Sequence, residues 1–566
     1  MKIRIEQLNP TVGDLAGNKS LILNALQQAQ KDGIELLILP EMTVTGYPVE
    51  DLLEEAAFRQ KCYQTNREIV ESTGKTALLF GSITQNDGEF GRKMYNSALL
   101  AQDQKVLDTV HKTLLPTYDI FDDLRYFEPN REFRCIDFKG LKLGVTICED
   151  IWYNENEIQY HTYPVNPARE LKNLGADVII NISASPYTNT KHQNRVKMLQ
   201  NHARNLSLPL LYSNQVGAHT DVIFDGDSMA ITKSGDVVAR TEPFWPDSTD
   251  VVLNAEDGSV ESINKNEKQP IYPGLKQERQ LEAIKLGLRD YIRKTGVTDQ
   301  VLFGLSGGID SAVGCALAVE ALSPDQVKAI TLPAEFSSEG SVTDSQKLAE
   351  NLGIELFEVP IRSIFEDYRS ALKPVFEDNT FGVTEENLQS RIRGTILMAY
   401  ANKTNSFLIA TGNKSEYAVG YATLYGDMNG ALSLIGDLYK TEVYEMAKWL
   451  NSSYYRSEVI PEAIINKAPS AELRPGQKDS DSLPDYAILD AILYQYLELQ
   501  KGRSELIDEG FDEKVVDRIL RLVDYNEFKR NQAVPILKLG SKSFGSGRRW
   551  PIVQKWTANR GNFENQ

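Results

Sequence analysis

The chain is short of the residues that build covalent or metal cross-links. Its four cysteines, Cys62, Cys135, Cys148 and Cys315, are scattered over 566 residues and none forms a CxxC pair, which excludes a disulfide framework and a cysteine zinc site. Five histidines show no metal-ligand spacing either. Long apolar runs are missing: stretches such as 36–39 and 178–182 fall far short of the ~20 residues that cross a bilayer. No membrane span is expected. Positive charge is outweighed, with 61 Lys and Arg against 79 Asp and Glu and a formal net charge of -18. Neutralising a phosphate backbone needs clustered cations, so nucleic acid is not an expected partner and any nucleotide is a small ligand. Met1 opens directly into the alternating run Lys2-Ile3-Arg4-Ile5-Glu6, without the basic and apolar regions of a signal peptide. A cytoplasmic location is expected. Internal repeats and low-complexity tracts are also lacking.

What is present is ordinary globular composition, 41% hydrophobic and 25% charged, in a chain too long for one core to keep growing. Two domains are expected. The first half alternates strand-like runs (2–8, 36–40, 77–83) with amphipathic stretches such as 18–31, which implies a layered α/β domain. Between Asn254 and Gly274 the text turns polar and turn-rich, and this sets a boundary between domains 1–270 and 271–566. Beyond it an amphipathic helix over 277–295 leads into Val301-Leu302-Phe303-Gly304-Leu305, followed by strand-like runs at 327–332, 354–360 and 407–411. Such spacing suits βαβ units on a parallel sheet. The proline-rich stretch 452–485 reads as loops over a site.

Three pieces of the first half place a reactive side chain at or just beyond a strand: Leu39-Pro40-Glu41, His111-Lys112-Thr113 and Thr146-Ile147-Cys148-Glu149-Asp150. A carboxylate, an ammonium and a thiol suffice for amide cleavage. Each alone could be a surface charge or a core thiol. In this order they resemble the Glu-Lys-Cys triad of the nitrilase, or carbon–nitrogen hydrolase, superfamily, across about residues 1–270. The resemblance implies a four-layer α-β-β-α sandwich, with Glu41 as base, Lys112 at the oxyanion and Cys148 as nucleophile. Glu128 matches an additional active-site glutamate of the superfamily, and a structural salt bridge is the open alternative. Tyr118, Ser185 and Lys191 correspond by position to side chains that hold glutamine in the glutaminase members.

In the second half, Gly304-Leu305-Ser306-Gly307-Gly308-Ile309-Asp310-Ser311 follows a strand and precedes a helix-competent run. Adjacent glycines let backbone N–H groups turn toward an anion, and the helix N-terminus adds partial positive charge. The string lacks the GxxxxGK[ST] spacing of a kinase-type P-loop. It is similar to the SGGxDS loop of the ATP-pyrophosphatase group, which implies a doubly wound, Rossmann-like parallel sheet that grips pyrophosphate as a leaving unit. Asp310 is then a Mg²⁺ ligand, since a hard cation prefers carboxylate oxygen. The segments 387–393, which should open a helix, 410–416, 420–427, Lys440-Thr441 and 469–473 resemble NAD synthetase. That resemblance implies Thr411, Lys440 and Ser470 on ATP, Asn387, Arg391, Glu416 and Lys538 on deamido-NAD⁺, and Glu416 as a second carboxylate around Mg²⁺. Leu424 departs from the pattern, standing where single-domain, ammonia-using synthetases carry a substrate-binding lysine.

A nitrilase-type amidase ahead of such a synthetase resembles the glutamine-dependent NAD⁺ synthetases. The expected chemistry takes glutamine, ATP and deamido-NAD⁺ to NAD⁺, AMP, pyrophosphate and glutamate, in a symmetric homo-oligomer, with the ammonia passing unexposed between sites. An asparagine- or GMP-synthetase-like ligase, and an amidase regulated by a nucleotide-binding module, are the competing readings.

Overall fold

The computed structural model describes residues 1–152, 163–263, 269–376 and 380–556. The chain divides into two compact units, Met1–Gly274 and Leu275–Gln566.

The first unit is built on two large sheets. One has seven strands in the order Val260–Ser262, Asp247–Leu253, Lys2–Gln7, Leu36–Ile38, Ala77–Gln85, Met94–Gln102, Lys105–His111. The other has six, in the order Val237–Arg240, Met229–Ile231, Leu210–Asn214, Val178–Ser183, Leu141–Ile147, Ile136–Phe138. Period-2 alternation sends successive side chains to opposite faces. Leu36, Ile38, Ala98 and Leu100 enter a core shared with Leu143, Val145 and Ile147 of the other sheet. Their neighbours Leu37, Leu99 and Ala101 instead pack with Leu15, Ile22, Leu26 and Ala29 of helix Leu15–Lys31. On the far side of the six-stranded sheet, Ile179 and Leu210 pack with helices Pro167–Asn173 and Lys191–Leu206. Helix, sheet, sheet and helix therefore stack in four layers, as the nitrilase resemblance implies.

The second unit carries a five-stranded, all-parallel sheet in the order Glu355–Glu358, Val327–Thr331, Val301–Gly304, Phe407–Ala410, Leu432–Ser433. Helices Arg362–Leu372 and Val383–Thr404 cover one face through Leu302, Ile330, Phe365, Ile392 and Leu408. Helix Ile309–Ala321 packs on strand Val301–Gly304, and Lys276–Thr295 packs on that helix. The strand order reverses between Val301–Gly304 and Phe407–Ala410, the switch point outside whose carboxyl ends doubly wound sheets bind ligands. A separate helical cluster forms around Leu489, Leu493, Val516, Leu520 and Val523. Two expectations shift. Asn387 does not open its helix, which starts a turn earlier, where the Glu385 carboxylate accepts from Gly382 N. The stretch 452–485 includes a short helix, Glu462–Asn466, and a 3-10 turn, Asp479–Asp481.

Candidate active sites

In the first unit, strand ends place the chemistry. Glu41 lies three residues past strand Leu36–Ile38, and a Cβ on Gly81 would stand 2.6 Å from its Cα; only glycine lets the neighbouring strand approach so closely. Both carboxylate oxygens of Glu41 are engaged. Oε1 accepts from Asn96 Nδ2 at 2.7 Å and Lys112 Nζ at 2.8 Å, and Oε2 from Ala184 N at 2.8 Å. Lys112, immediately after strand Lys105–His111, also donates to Asp123 Oδ2 at 2.6 Å. Tyr47 Oη donates to the other Asp123 oxygen at 2.9 Å. This cluster is almost wholly buried. Burial opposes the Lys112 charge, and the carboxylates of Asp123 and Glu41 overcome it, holding the ammonium well above its ordinary pKa.

Cys148 follows strand Leu141–Ile147 directly, with φ 45°. A non-glycine residue avoids this left-handed region, and a nucleophile on a sharp strand-to-helix turn presents its reactive atom outward. Burial pushes the thiol pKa up; Glu41 adds to the shift and Lys112 opposes it. A thiol shifted in that direction calls for a base. Around it, Tyr118 Oη donates to both oxygens of Glu149 at 3.0 Å and Tyr163 Oη to one at 2.9 Å. Burial raises the Glu149 carboxyl, against those bonds and Lys112. The Lys191 ammonium lies 4.8 Å from the Trp152 ring centre and 5.8 Å from that of Phe121, with its pKa lowered by burial. The buried hydroxyl of Ser185 has no hydrogen-bond partner among the described residues. Glu128 bonds elsewhere: it accepts from Arg92 N at 3.0 Å and Arg131 at 3.2 Å, which is the salt-bridge alternative. Asp123, the second carboxylate on Lys112, escaped the sequence reading. It sits in Asp122-Asp123-Leu124, which reads as a solvated acidic pair at a helix start.

In the second unit, the loop after strand Val301–Gly304 runs into helix Ile309–Ala321. Gly307 has φ 72°, and a Cβ there would stand 2.5 Å from Ser341 O. Ser306 Oγ lies 3.3 Å from both Ser311 Oγ and Gly308 N. A cavity opens over the loop, lined by Gly304, Leu305, Ser306, Gly308, Ile309, Asp310 and Ser311 together with Thr411, Glu416, Lys440 and Ser470. Lys440, first residue of helix Lys440–Trp449, bridges Asp310 Oδ2 and, at 3.2 Å, Glu416 Oε1. Asn413 Nδ2 donates to the other Asp310 oxygen at 2.8 Å. Burial pushes the Glu416 carboxyl up to about 8 although Lys440 opposes it. Ser470 Oγ donates to Gln477 O at 2.7 Å and accepts from Glu472 N at 3.1 Å, closing a turn at the cavity wall.

Three residues assigned to the dinucleotide are not among the cavity-lining residues. Asn387 Oδ1 accepts from Thr423 Oγ1 at 2.9 Å, Arg391 Nε donates to Leu424 O at 3.2 Å, and buried Lys538 donates to Ser541 O at 3.1 Å. Arg393 lines the cavity instead, with Nε on Leu332 O at 3.1 Å and burial pulling its pKa down to about 10. Two residues apart on a helix means ~200° of rotation, so only one of the two arginines faces the sheet. Lys467, Glu472, Asp427 and Asp479 join the lining. Leu424 packs beside the helical cluster.

Comparison with known proteins matches each unit separately. The carbon-nitrogen hydrolase family model covers residues 2–256 and the NAD synthase family model residues 280–533. A glutamine-dependent NAD(+) synthetase of Synechocystis is 43% identical over 556 residues, covering 98% of each chain. Its counterpart from Acinetobacter baylyi is 38% identical, again over 98% of each. Among solved structures, a glutamine-dependent NAD+ synthetase from Acinetobacter baumannii in complex with ADP superposes with a TM-score of 0.76 at 35% identity, over 98% of this chain and 99% of that one. The chain belongs to the family of glutamine-dependent NAD(+) synthetases.

Proposed function

We propose that residues 1–270 hydrolyse glutamine and that residues 271–566 spend the ammonia on adenylylated deamido-NAD⁺. The observation that carries the first half is the left-handed Cys148 whose thiol feels both Glu41 and Lys112. Glu41 takes the thiol proton, the sulfur attacks the amide carbon, and the Lys112 ammonium faces the developing oxyanion. Ammonia leaves with a proton from Glu41, and water activated by Glu41 then cleaves the thioester to glutamate. Asp123 keeps Lys112 charged throughout. A buried acid, Glu149, and a half-buried base, Lys191, match the two ends of an α-amino acid, and the unpartnered Ser185 hydroxyl and Tyr118 complete the pocket. Glu128 acts from outside it through its salt bridge.

In the second half the loop 304–311 holds the β and γ phosphates on backbone N–H groups and the Ser306 and Ser311 hydroxyls. Thr411 and Ser470 flank the nucleotide, and Lys440 meets the phosphates. The nicotinate carboxylate attacks the α phosphorus and pyrophosphate departs; ammonia then displaces AMP at the carboxyl carbon. Two carboxylates that converge on one buried lysine fit a divalent cation, because Asp310 and Glu416 are hard oxygen donors and would hold Mg²⁺ beside the phosphates. When bound, Mg²⁺ neutralises charge on the phosphates. Asn387, Arg391 and Lys538 are assigned to deamido-NAD⁺ by resemblance, reaching it by exchanging their present contacts with the Thr423 hydroxyl, Leu424 O and Ser541 O. The cytoplasm and a symmetric homo-oligomer complete the assignment, and light scattering tests the latter.

A reciprocal pair of variants tests the division of labour. Cys148→Ala should abolish glutamine-driven NAD⁺ formation and keep the ammonium-driven reaction. Asp310→Ala should stop synthesis from either nitrogen source and leave glutamine hydrolysis measurable. Loss of both activities in Cys148→Ala would sink the scheme.

A further inference from the structure

Asp150 lies two residues past Cys148 and is buried, yet the glutaminase reaction gives it no chemical task. Burying a carboxylate is costly unless it is bonded. Three backbone N–H groups bond this one and oppose burial, which still pushes its pKa up to about 7. Asp150 Oδ1 accepts from Thr113 N at 3.0 Å and Leu114 N at 2.8 Å, and Oδ2 accepts from Ile147 N at 3.0 Å. Thr113 and Leu114 are the two residues after Lys112, and Ile147 is the residue before Cys148. One carboxylate therefore joins the backbone leaving the lysine to the backbone entering the nucleophile.

The join matters because the two backbones belong to different sheets. Lys112 continues the edge strand of the seven-stranded sheet, whereas Cys148 continues a strand of the six-stranded sheet. Ladder hydrogen bonds run within a sheet, and between the sheets lies mainly apolar packing, which has no directional preference. Polar ties such as Ala184 N on Glu41 Oε2 at 2.8 Å and Ser213 Oγ on Glu6 O at 2.9 Å cross it elsewhere, and Asp150 is the tie that joins the backbone at Lys112 to the backbone at Cys148. Cys148 also sits in a conformation that surrounding structure must hold, and the Asp150 carboxylate, by accepting from Ile147 N, closes the turn Cys148–Ile151. Three convergent N–H donors call for an acceptor-only group. A carboxylate is one, whereas an amide would present its own donor to one of them.

We propose that Asp150 is the positioning residue that sets the Lys112 ammonium and the Cys148 sulfur in register across the two sheets; this rests on the glutaminase reading of that site. It touches neither substrate nor sulfur and acts through the backbone.

Asp150→Asn in the full chain tests it. Glutamine hydrolysis should lose about 10²-fold in kcat, the cost of a misplacement near 1 Å, with the KM for glutamine held within about threefold because Tyr118, Ser185 and Lys191 are untouched. Alkylation of Cys148 by iodoacetamide should slow, and ammonium-driven synthesis should persist. Asp150→Glu, which keeps the charge on a longer arm, should retain the wild-type KM and lose about tenfold in kcat; it also provides the readout if the Asn variant does not fold. Wild-type kcat in either variant, or a kcat loss matched by a rise in KM with alkylation unchanged, overturns the proposal. Glutamine hydrolysis surviving in Cys148→Ala would instead overturn the reading beneath it.

Discussion

His111 shows how one neighbour of the catalytic lysine sets an acid limit. Its ring stacks on Tyr95 at 4.0 Å and its Nδ1 lies 2.8 Å from Ser97 Oγ; burial, aided by Arg134, lowers its pKa to about 4. The unfolded ring titrates near 6.5, so between those values the unfolded chain binds the extra proton. Stability is then full above about 6.5 and falls as pH drops toward 4. The loss at pH 5 should be at most about 2 kcal/mol, reduced by the partial exposure of the ring. Urea midpoints at pH 7 and 5 should differ more in the wild type than in His111→Gln. Legibility at this scale follows the same physics. Glu41, Lys112 and Cys148 were readable from their joint order, each at or just beyond a strand-like run, as a resemblance to the nitrilase triad; singly none was, and the mixed run 105–111 ahead of Lys112 is no apolar signature. Asp123 was not, since its burial depends on Lys112 arriving from another element.

Among the elements, the phosphate loop leaves the least room for change. At Gly307 a side chain would need a left-handed φ of 72° and would meet Ser341 O at 2.5 Å. Gly307→Ala should therefore displace the loop, raising the KM for ATP at least about tenfold, a change worth roughly 1.4 kcal/mol, while glutamine hydrolysis stays near wild type. A coupled pyrophosphate assay run across ATP concentrations checks it. The strand-turn-helix context of this loop was plain from apolar run, glycine pair and helix-competent run. What periodicity could not say is which side of helix Val383–Thr404 meets the sheet. Arg391 and Arg393 exchange roles on that point, and the early start of the helix conceals the phase. Lys538 poses a different difficulty. Its segment is pinned by Asp437, which accepts from Leu539 N at 2.7 Å and Gly540 N at 2.6 Å, a contact over a hundred residues in sequence that no local pattern encodes.

At the scale of the whole molecule, each unit buries apolar clusters of its own among the described residues, around Leu37, Ile38 and Ile179 in Met1–Gly274 and around Leu302 and Leu493 in Leu275–Gln566. Units of this size can each sustain a core. A fragment spanning 275–566 should fold, by far-ultraviolet circular dichroism, and form NAD⁺ from ammonium salts but not from glutamine. The two-part architecture was legible because composition changes abruptly between 254 and 274, and because each part carries its own run of strand-end motifs.

Both units place a buried lysine between two carboxylates, Lys112 between Glu41 and Asp123 and Lys440 between Asp310 and Glu416. In each the two acids hold the ammonium on its site, and in the proposed reactions the same charge also faces a substrate anion. One cation thus answers to three negative groups, so a change to either acid of a pair should be felt at the substrate as well as at the lysine.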